Sequence, residues 1–227
     1  MNLLLLGRGK TGSLVHDVAL ERKHHVLMLG SADNRNGSAL TREALHDVDV
    51  VIDFTTPAVV LKNIKACVAA GKNIVVGTTG WYNKLDRVRG LVADSGIGFV
   101  YGANFSFGVN LFFEIAKLAG EALKHGYGGS VEEVHHVHKK DAPSGTALKL
   151  QQILEQSGGK KLGIASIREG DVPGTHTISL ESDADCLTLT HEAKSRRGFA
   201  EGAVKAAEWL NGKRGFYDFR EIFHEVG

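Results

Sequence analysis

Residues 134–146 read VHHVHKKDAPSGT, a segment that places three histidines and two lysines within seven positions. Histidine exchanges protons near neutral pH, and lysine binds carboxylates or polarises imines. In the Pro-Ser-Gly-Thr stretch that follows, Ser144 can cap a helix and leave the backbone N–H groups of Gly145 and Thr146 directed at an anion. The segment therefore predicts a binding site for a dianionic small molecule with a proton donor beside it.

Two other interpretations of these histidines stay open. In the first, His135, His136 and His138 bind zinc. A strand puts only His136 and His138 on one face, a helix puts only His135 and His138 on one face, and the adjacent lysines add positive charge beside a cation. We therefore expect no metal ion. In the second interpretation, the residues are solvated polar side chains at a strand end.

A glycine-rich motif follows the first apolar run of the chain. In GRGKTG, the residues Gly7, Gly9 and Gly12 have G-x-G-x-x-G spacing, between a predicted strand and a helix expected to begin near Ser13. The first glycine permits a tight turn, the second lets backbone approach a pyrophosphate, and the third allows close helix packing. The motif predicts a dinucleotide-binding site, and a glycine-rich turn without a ligand is the alternative.

Three further segments are placed to line the same site. After the second predicted strand, Asp33 lies near the distance expected of a ribose-binding acid, and Arg35 could meet a 2′-phosphate. The loops DFTTP (53–57) and GTTG (77–80) each follow a predicted strand. In an open parallel sheet, ligands bind beyond the carboxyl ends of the strands. The sequence leaves NADH and NADPH as alternatives.

Short runs rich in Val, Ile and Leu alternate with helical segments as far as Tyr101, which predicts a parallel sheet covered on both faces. Beyond Tyr101 we expect a long apolar helix, a strand that carries the histidines, and a helix from about Thr146. The runs THTISLES and CLTLTHEA are typical of antiparallel strands. We interpret EQSGGKKLG as an exposed loop, FAEGAVKAAEWLNGK as a helix and YDFREIFHE as a short amphipathic segment.

Composition excludes some classes of function. The chain has 227 residues, of which 43% are hydrophobic and 23% charged, and its net charge is +1. This balance lacks the basic excess that binds phosphate backbones. The apolar opening is too short for a signal peptide, and no run approaches the roughly 20 residues of a membrane span. Since Cys67 and Cys186 form no close-spaced pair, we expect a cytoplasmic protein that binds neither nucleic acid nor membranes.

The stretch EVHHVHKKDAPSGTA closely resembles the signature of the 4-hydroxy-tetrahydrodipicolinate reductase (dihydrodipicolinate reductase) family, E-x-H-H-x-x-K-x-D-x-P-S-G-T-A. The resemblance covers nearly the whole chain. GRGKTG and DFTTP are similar to the family's cofactor loops, and VVGTTG to its nicotinamide-side loop. GANFSFGVN is similar to its hinge into the substrate domain, and REGDVPGTH to its R-x-G-x-x-x-G-x-H segment.

The resemblance implies reduction by NADH or NADPH of the cyclic unsaturated dicarboxylate in the diaminopimelate route of lysine biosynthesis, which gives tetrahydrodipicolinate. It implies two catalytic residues, His135 as the proton donor and Lys139 as the group that supports protonation and substrate charge. The expected substrate-binding residues are His136, Lys139, Ser144, Gly145 and Thr146. The expected dinucleotide-binding residues are Gly7, Arg8, Gly9, Lys10, Thr11, Gly12, Asp33, Arg35, Phe54, Thr55, Gly77, Thr78, Thr79, Gly102, Ala103, Asn104 and Phe105.

The expected fold class is α/β, with two domains. A Rossmann-like dinucleotide-binding domain comprises residues 1–104 plus 197–227, and an α+β domain with a mixed sheet, residues 105–196, binds substrate and forms the oligomer. The resemblance implies a homotetramer assembled through that second sheet. Two competing functions are another amino-dicarboxylate dehydrogenase of the aspartate dehydrogenase type and a nucleotide sensor that binds NAD(H) without turnover.

Overall fold

The alternating apolar runs of the first hundred residues form the strands of an open parallel sheet, as predicted. The computed structural model, which describes residues 1–226, contains two units. The first unit comprises Met1–Phe107 and the residues from Arg197 onward, and the second comprises Gly108–Arg196. Among the described residues, no helix combines the length and the apolar character needed to cross a membrane.

Ten strands and seven α-helices follow one another within residues 1–226. The strands are β1 (Asn2–Leu6), β2 (His25–Leu29), β3 (Val50–Asp53), β4 (Asn73–Val76), β5 (Gly98–Tyr101), β6 (Gly128–His135), β7 (Gly163–Arg168), β8 (Thr175–Glu181), β9 (Cys186–Glu192) and β10 (Gly215–Asp218). The helices are α1 (Lys10–Glu21), α2 (Val60–Ala70), α3 (Leu85–Ala93), α4 (Phe107–Ala119), α5 (Gly145–Gly158), α6 (Arg197–Leu210) and α7 (Phe219–Ile222).

The first unit is Rossmann-like: its six strands are all parallel and lie in the order β10-β5-β4-β3-β1-β2. Strand β1 shows how the sequence builds two core layers. Leu3 and Leu5 pack with α1 and α6 on one face, whereas Leu4 and Leu6 pack with α2 and α3 on the other. The order in which successive strands are added to the sheet reverses between β1 and β3, and open parallel sheets bind ligands at such a point.

The second unit contains a mixed sheet in the order β7-β6-β8-β9. Strands β6 and β7 are parallel, and the other two pairs are antiparallel. The prediction of antiparallel strands in THTISLES and CLTLTHEA is therefore confirmed. Helices α4 and α5 pack on one face of this sheet, where Phe112 and Leu150 lie in one core cluster with Val131 and Ile178.

Three predictions about element bounds were wrong. Helix α1 begins at Lys10 rather than near Ser13. Segment EQSGGKKLG is not wholly a loop: its first four residues complete α5, Gly158 is buried against Gly120, and Gly159 is the C-cap in the left-handed conformation (φ 73°). Segment YDFREIFHE is not one amphipathic element, because Tyr217 and Asp218 belong to β10, which pairs with β5.

The histidine segment also differs from the prediction. Strand β6 ends at His135, so that His136 and His138 lie beyond it in the loop that leads to α5. Their side chains are consequently not ordered by the alternation of a strand. Only His135 takes its direction from the sheet.

Candidate active site

A cavity of about 600 Å³ lies in the first unit at the carboxyl ends of β1, β2 and β3. Six residues predicted to bind the dinucleotide line it, namely Gly7, Arg8, Gly9, Arg35, Phe54 and Thr55. Asn34 and Asn63 also line this cavity, although no sequence motif predicts a role for them. The glycine turn and the DFTTP loop therefore border one space, as the parallel-sheet argument predicted.

The start of α1 faces this cavity with the properties of an anion site. Its N-cap is Gly9, which provides no side-chain cap, and the first turn contains no acidic residue. The first N–H groups of the helix are therefore open to a ligand's oxygen atoms. A Cβ at Gly12 would overlap the carbonyl oxygen of Gly7, whose own φ of +106° favours glycine. These residues fit a pyrophosphate, the central group of a dinucleotide.

A buried carboxylate connects the loops around the cavity. Asp53 accepts hydrogen bonds from the Thr55 hydroxyl (2.6 Å), from Asn63 (2.8 Å) and from the Thr78 hydroxyl (2.9 Å). Asn63 in turn accepts a hydrogen bond of 3.0 Å from Asn34, in the segment after β2. The network thus ties the segments after β2, β3 and β4 to one charged group.

The other residues predicted to bind the dinucleotide do not line the cavity. Asp33 is exposed and is absent from the cavity lining; its carboxylate accepts a hydrogen bond of 2.8 Å from Gly30 N and lies 3.1 Å from the guanidinium of Arg8. Lys10 and Thr11 lie with Gly12 in the first turn of α1.

The loops that follow β4 and β5 do not contribute to the lining of the cavity. Gly77 and Thr79 follow β4 on either side of the buried Thr78. Gly102, Ala103 and Asn104 follow β5, and the next residue, Phe105, is buried against Phe54 and Phe219. None of these loop residues is among those that line the cavity.

The second unit holds a separate cluster of ionisable side chains on its sheet. Glu133 and His135 are two residues apart on β6 and therefore share a face. His176 on β8 is the antiparallel partner of Glu133, and the rings of His135 and His176 are 5.1 Å apart. Glu133 is fully buried, and His135 and His176 are 8% and 4% exposed.

Glu133 is the centre of this cluster. One carboxylate oxygen, Oε1, accepts hydrogen bonds from Arg168 Nη2 (2.9 Å) and from the backbone N–H of Ser144 (3.3 Å). The other, Oε2, contacts Nδ1 of His135. One carboxylate thus joins the predicted proton donor to the start of α5.

Helix α5 begins as predicted. Ser144 is its N-cap and accepts a hydrogen bond of 3.2 Å from Ala147 N. The same hydroxyl lies 3.1 Å from Nε2 of His176. Gly145 is exposed and Thr146 is half-buried in the first turn, so this helix end is accessible beside the histidine cluster.

The other residues of the histidine segment point to different partners. His136 lies 3.2 Å from Arg196, and its ring is 6.3 Å from that of His138. Lys139 forms an ion pair of 2.8 Å with Asp141. The three histidines of the segment therefore do not converge on one point.

Burial sets the protonation of the cluster. It lowers the pKa of His135 against the opposing effect of the Glu133 charge, and it lowers the pKa of His176 to about 4. Burial raises the pKa of Glu133, but hydrogen bonds from Arg168 and Ser166 outweigh it and bring the pKa below its usual value. At neutral pH the cluster therefore contains a carboxylate beside two neutral imidazoles.

Glu133, His135 and His176 also place one ligand-type atom each within 4.8 Å of one another. This set differs from the three histidines considered in the sequence. Arg168 lies 2.9 Å from the carboxylate, and the His135 contact occupies its other oxygen. Because a guanidinium beside the carboxylate disfavours a cation, we interpret the cluster as a hydrogen-bond network.

Glu133, Arg168 and His176 lie in or beside the motifs discussed above, but the sequence predicted no function for them. The spacing of Glu133 and His135 was a usable signal, because residues two apart on a strand share a face. No local signal connects His176 to them, since that contact depends on how β8 pairs with β6.

A glycine-turn cavity on a Rossmann-like sheet, with a histidine and carboxylate network in a second unit, defines the class: an NAD(P)H-dependent oxidoreductase. Family models described as dihydrodipicolinate reductase, N-terminus and C-terminus, match residues 1–105 and 108–223. The chain belongs to the dihydrodipicolinate reductase family.

Two relatives support this membership along most of the chain. The 4-hydroxy-tetrahydrodipicolinate reductase of Christiangramia forsetii is 39% identical over 100% of this chain and 99% of its own length. The enzyme of that name from Neisseria meningitidis serogroup B is 39% identical over 77% of this chain and 72% of its own.

Solved structures show the same fold. A dipicolinate-bound dihydrodipicolinate reductase from Paenisporosarcina sp. TG-14 matches with a TM-score of 0.79 and 23% identity, over 98% of this chain and 99% of that one. Aspartate dehydrogenase from Thermotoga maritima matches with a TM-score of 0.51 and 11% identity, over 94% and 97%. This second likeness is one of fold alone, so the aspartate dehydrogenase alternative has only distant support.

Proposed function

We propose that the protein reduces 4-hydroxy-tetrahydrodipicolinate, or the dihydrodipicolinate derived from it, to tetrahydrodipicolinate in the diaminopimelate route of lysine biosynthesis, with NADH or NADPH as the reductant. The observation that carries the proposal is the position of Glu133. It contacts both the buried His135 and the first turn of a helix whose N-terminus is exposed. A proton donor beside an anion-binding helix end suits a cyclic dicarboxylate.

In this reaction His135 donates a proton and Lys139 supports the charge of the substrate. Addition of a hydride to a conjugated imine builds negative charge on the substrate, which an imidazolium neutralises by giving up its proton. The ion pair of Lys139 with Asp141 holds the ammonium group close to the same loop. Both residues are proposed as catalytic.

The carboxylates of the substrate bind at the start of α5 and in the loop before it. The N–H groups of Gly145 and Thr146 belong to the first turn, where the positive end of the helix dipole favours anions. Ser144 holds this turn through its cap, and His136 and Lys139 add hydrogen-bond donors. A dianion gains more from this set than a neutral ligand does.

The dinucleotide, when bound, supplies the hydride, and the residues of the first unit hold it. The N-terminus of α1 binds the pyrophosphate, with Gly9 allowing its close approach, and Arg8 and Arg35 line the cavity as cations. The later loops, 77–79 and 102–105, are proposed to complete the site. Protein groups orient the reductant, while the nicotinamide provides the chemistry.

Residues 1–104 with 197–227 are proposed as the dinucleotide-binding domain, and residues 105–196 as the substrate-binding and oligomerisation domain. We propose a homotetramer formed through the sheet face opposite α4 and α5, on which Ile167 is 40% exposed. A cytoplasmic location is supported by the two free thiols, Cys67 and Cys186, because disulfides are rare in reducing compartments. Sedimentation velocity of the purified protein tests the tetramer.

The activity is tested by following NADH and NADPH absorbance with freshly generated product of the dihydrodipicolinate synthase reaction. Oxidation of either cofactor that depends on this substrate supports the proposal. Tight dinucleotide binding without substrate-dependent oxidation would contradict it and favour a nucleotide sensor. Reduction of NAD⁺ with aspartate would instead indicate an amino-dicarboxylate dehydrogenase.

A further inference from the structure

The contact between Glu133 and His135 is exclusive and buried. Neither Oε2 of Glu133 nor Nδ1 of His135 has another hydrogen-bond partner among the described residues. The opposite oxygen, Oε1, is held by Arg168 and by the backbone of Ser144, from two other elements. The carboxylate is therefore fixed in orientation before it meets the imidazole.

A fixed carboxylate determines which nitrogen of His135 carries a proton in the neutral ring. An ionised carboxylate only accepts hydrogen bonds, so Nδ1 must donate and Nε2 is the atom left to exchange protons. The Nε2 edge of the ring faces Gly174. A Cβ at position 174 would lie 2.8 Å from Nε2, and the backbone there has φ +151°. Glycine at this position keeps the Nε2 edge unobstructed.

We propose that Glu133 is a positioning residue for the reduction: it holds His135 with a proton on Nδ1, so that Nε2 is the atom that delivers the proton to the substrate. The inference rests on the proposed role of His135. The ring donates as imidazolium, which forms when the neutral ring, already protonated on Nδ1, takes up a solvent proton (hydronium) at Nε2. In the step, the Nε2–H bond breaks, its electron pair stays on the ring, and the proton forms a new bond to the substrate atom that became negative. The ring is then neutral again, with its proton on Nδ1.

Four charged or titratable groups face His135 and set its pH dependence. Glu133 on β6 favours the imidazolium, whereas Arg168 on β7 and Lys139 in the following loop oppose it. Protonated His135 and His176 on β8 also disfavour each other's charge. Glu133 is thus the acid among the four, and it counteracts the effect of burial. Loss of its charge is expected to shift protonation of His135 to lower pH.

Nitrogen NMR of the ¹⁵N-histidine-labelled enzyme tests the tautomer directly and without turnover. In the wild-type protein, the neutral ring of His135 should show a protonated Nδ1 and a bare Nε2. A protonated Nε2 with a bare Nδ1 would overturn the proposal, and this measurement needs no variant of Glu133. The His135 signal is assigned by its loss in His135→Gln.

The Glu133→Gln variant tests the consequence for catalysis, with Glu155→Gln as the matched control. Glu155 is an exposed glutamate near the carboxyl end of α5, in the same unit. In Glu133→Gln we expect kcat to fall about tenfold or more. This is a smaller loss than the roughly 100- to 10,000-fold expected when the general acid itself is removed. The basic limb of the pH profile, where His135 loses the proton that it donates, should move to lower pH because Glu133 no longer favours the imidazolium, and KM for the dinucleotide should be unchanged. Equal changes in both variants would contradict the proposal.

Different results would contradict the role of His135 and the role of Glu133. Normal turnover in His135→Gln would remove the proposed proton donor, whatever the NMR shows. Loss of turnover in His135→Gln, together with an unchanged tautomer and pH profile in Glu133→Gln, would leave the donor in place and overturn the role of Glu133. Circular dichroism and the unfolding midpoint establish that each variant is folded, and Gly174→Ala offers a second perturbation, which should lower kcat while Nδ1 stays protonated.

Discussion

Asp53, the last residue of β3, and Thr78, in the loop after the neighbouring strand β4, are joined by a buried hydrogen bond of 2.9 Å. The carboxylate of Asp53 also accepts hydrogen bonds from the backbone N–H of Thr55 and from the side chain of Asn63 on α2. A single buried acid therefore holds together loops that are more than twenty residues apart in the chain. This relationship explains why the cavity keeps its form although most of its lining belongs to loops.

Asp53→Asn should destabilise the first unit and weaken dinucleotide binding. The amide would direct an N–H₂ group at donors that now meet an oxygen, and a buried donor without an acceptor costs about 1–3 kcal/mol. Because Thr55 and Asn63 line the cavity, affinity for NADPH should also fall. Chemical unfolding and fluorescence titration measure the two effects. Asp94→Asn, at the exposed C-cap of α3 in the same unit, is the control and should change neither.

Gly12→Ala and Gly9→Ala should have different consequences. A Cβ at Gly12 would overlap the carbonyl of Gly7, and we expect overpacking to cost about 1–3 kcal/mol of unfolding free energy. A Cβ at Gly9 meets nothing within 4 Å, so stability should hold. Its methyl group lies at the cavity, however, and dinucleotide affinity should drop about tenfold, since backbone must approach the pyrophosphate there. Equal affinity in Gly9→Ala and the wild type would argue against this position of the pyrophosphate.

His135→Gln should reduce turnover by about 100- to 10,000-fold, the range typical of a lost general acid. The residue lies in the second unit, so binding of the dinucleotide to the first unit should be nearly unchanged. Steady-state rates with both cofactors and a binding titration measure the two quantities. His46→Gln, which changes an exposed histidine of the first unit, should leave the rate unaltered.

The protein should lose stability as the pH falls from about 6.5 towards 4. The folded protein holds the pKa of His176 at about 4, against 6.5 for an unperturbed histidine. The unfolded chain therefore binds more protons in this window, and folding stability decreases by up to about 3 kcal/mol for this one group. Burial lowers the pKa of His135 and of His191 in the same direction.

Denaturant unfolding at several pH values measures this slope. In His176→Gln the slope should be shallower, whatever the absolute stability of the variant. An identical slope in the variant and the wild type would mean that His176 is not a source of the acid sensitivity.

Ser144→Ala should cost about 1–2 kcal/mol of unfolding free energy. The substitution removes the N-cap of α5, typically worth about 1 kcal/mol, and the hydroxyl that lies beside Nε2 of His176. Ser157→Ala, near the other end of the helix, removes a hydrogen bond from the serine hydroxyl to the carbonyl oxygen of Ile153 in the same helix. It should change stability by less than about 0.5 kcal/mol. A similar loss in both variants would count against the capping role.

Local patterns in the sequence predicted the parallel sheet, the dinucleotide turn and the cap at Ser144. Each depends on neighbours within a few positions: apolar residues of β1 that alternate between two layers, glycines at fixed spacing, or a serine before a helix. They also predicted the antiparallel pair β8 and β9, because alternation of polar and apolar residues is visible within one strand.

The errors occurred where a distant partner decides the local structure. Strand β10 exists because Gly215–Asp218 can extend the sheet beside β5, more than one hundred residues earlier. Helix α5 runs on through Gly158 because that glycine packs against Gly120. Neither partner is visible in the segment itself, so composition alone indicated a loop in one case and a short amphipathic element in the other.

The residue types of the proposed active site, from His135 to Thr146, were determined by the sequence alone. The tertiary structure decided what surrounds them. The pairing of β6 with β7 and β8 brings Arg168 and His176 to Glu133. Of the three neighbouring histidines in the segment, only His135 is buried beside that carboxylate. The reason is physical: register between strands depends on hydrogen bonds and packing across the whole sheet, and no spacing within one segment encodes it.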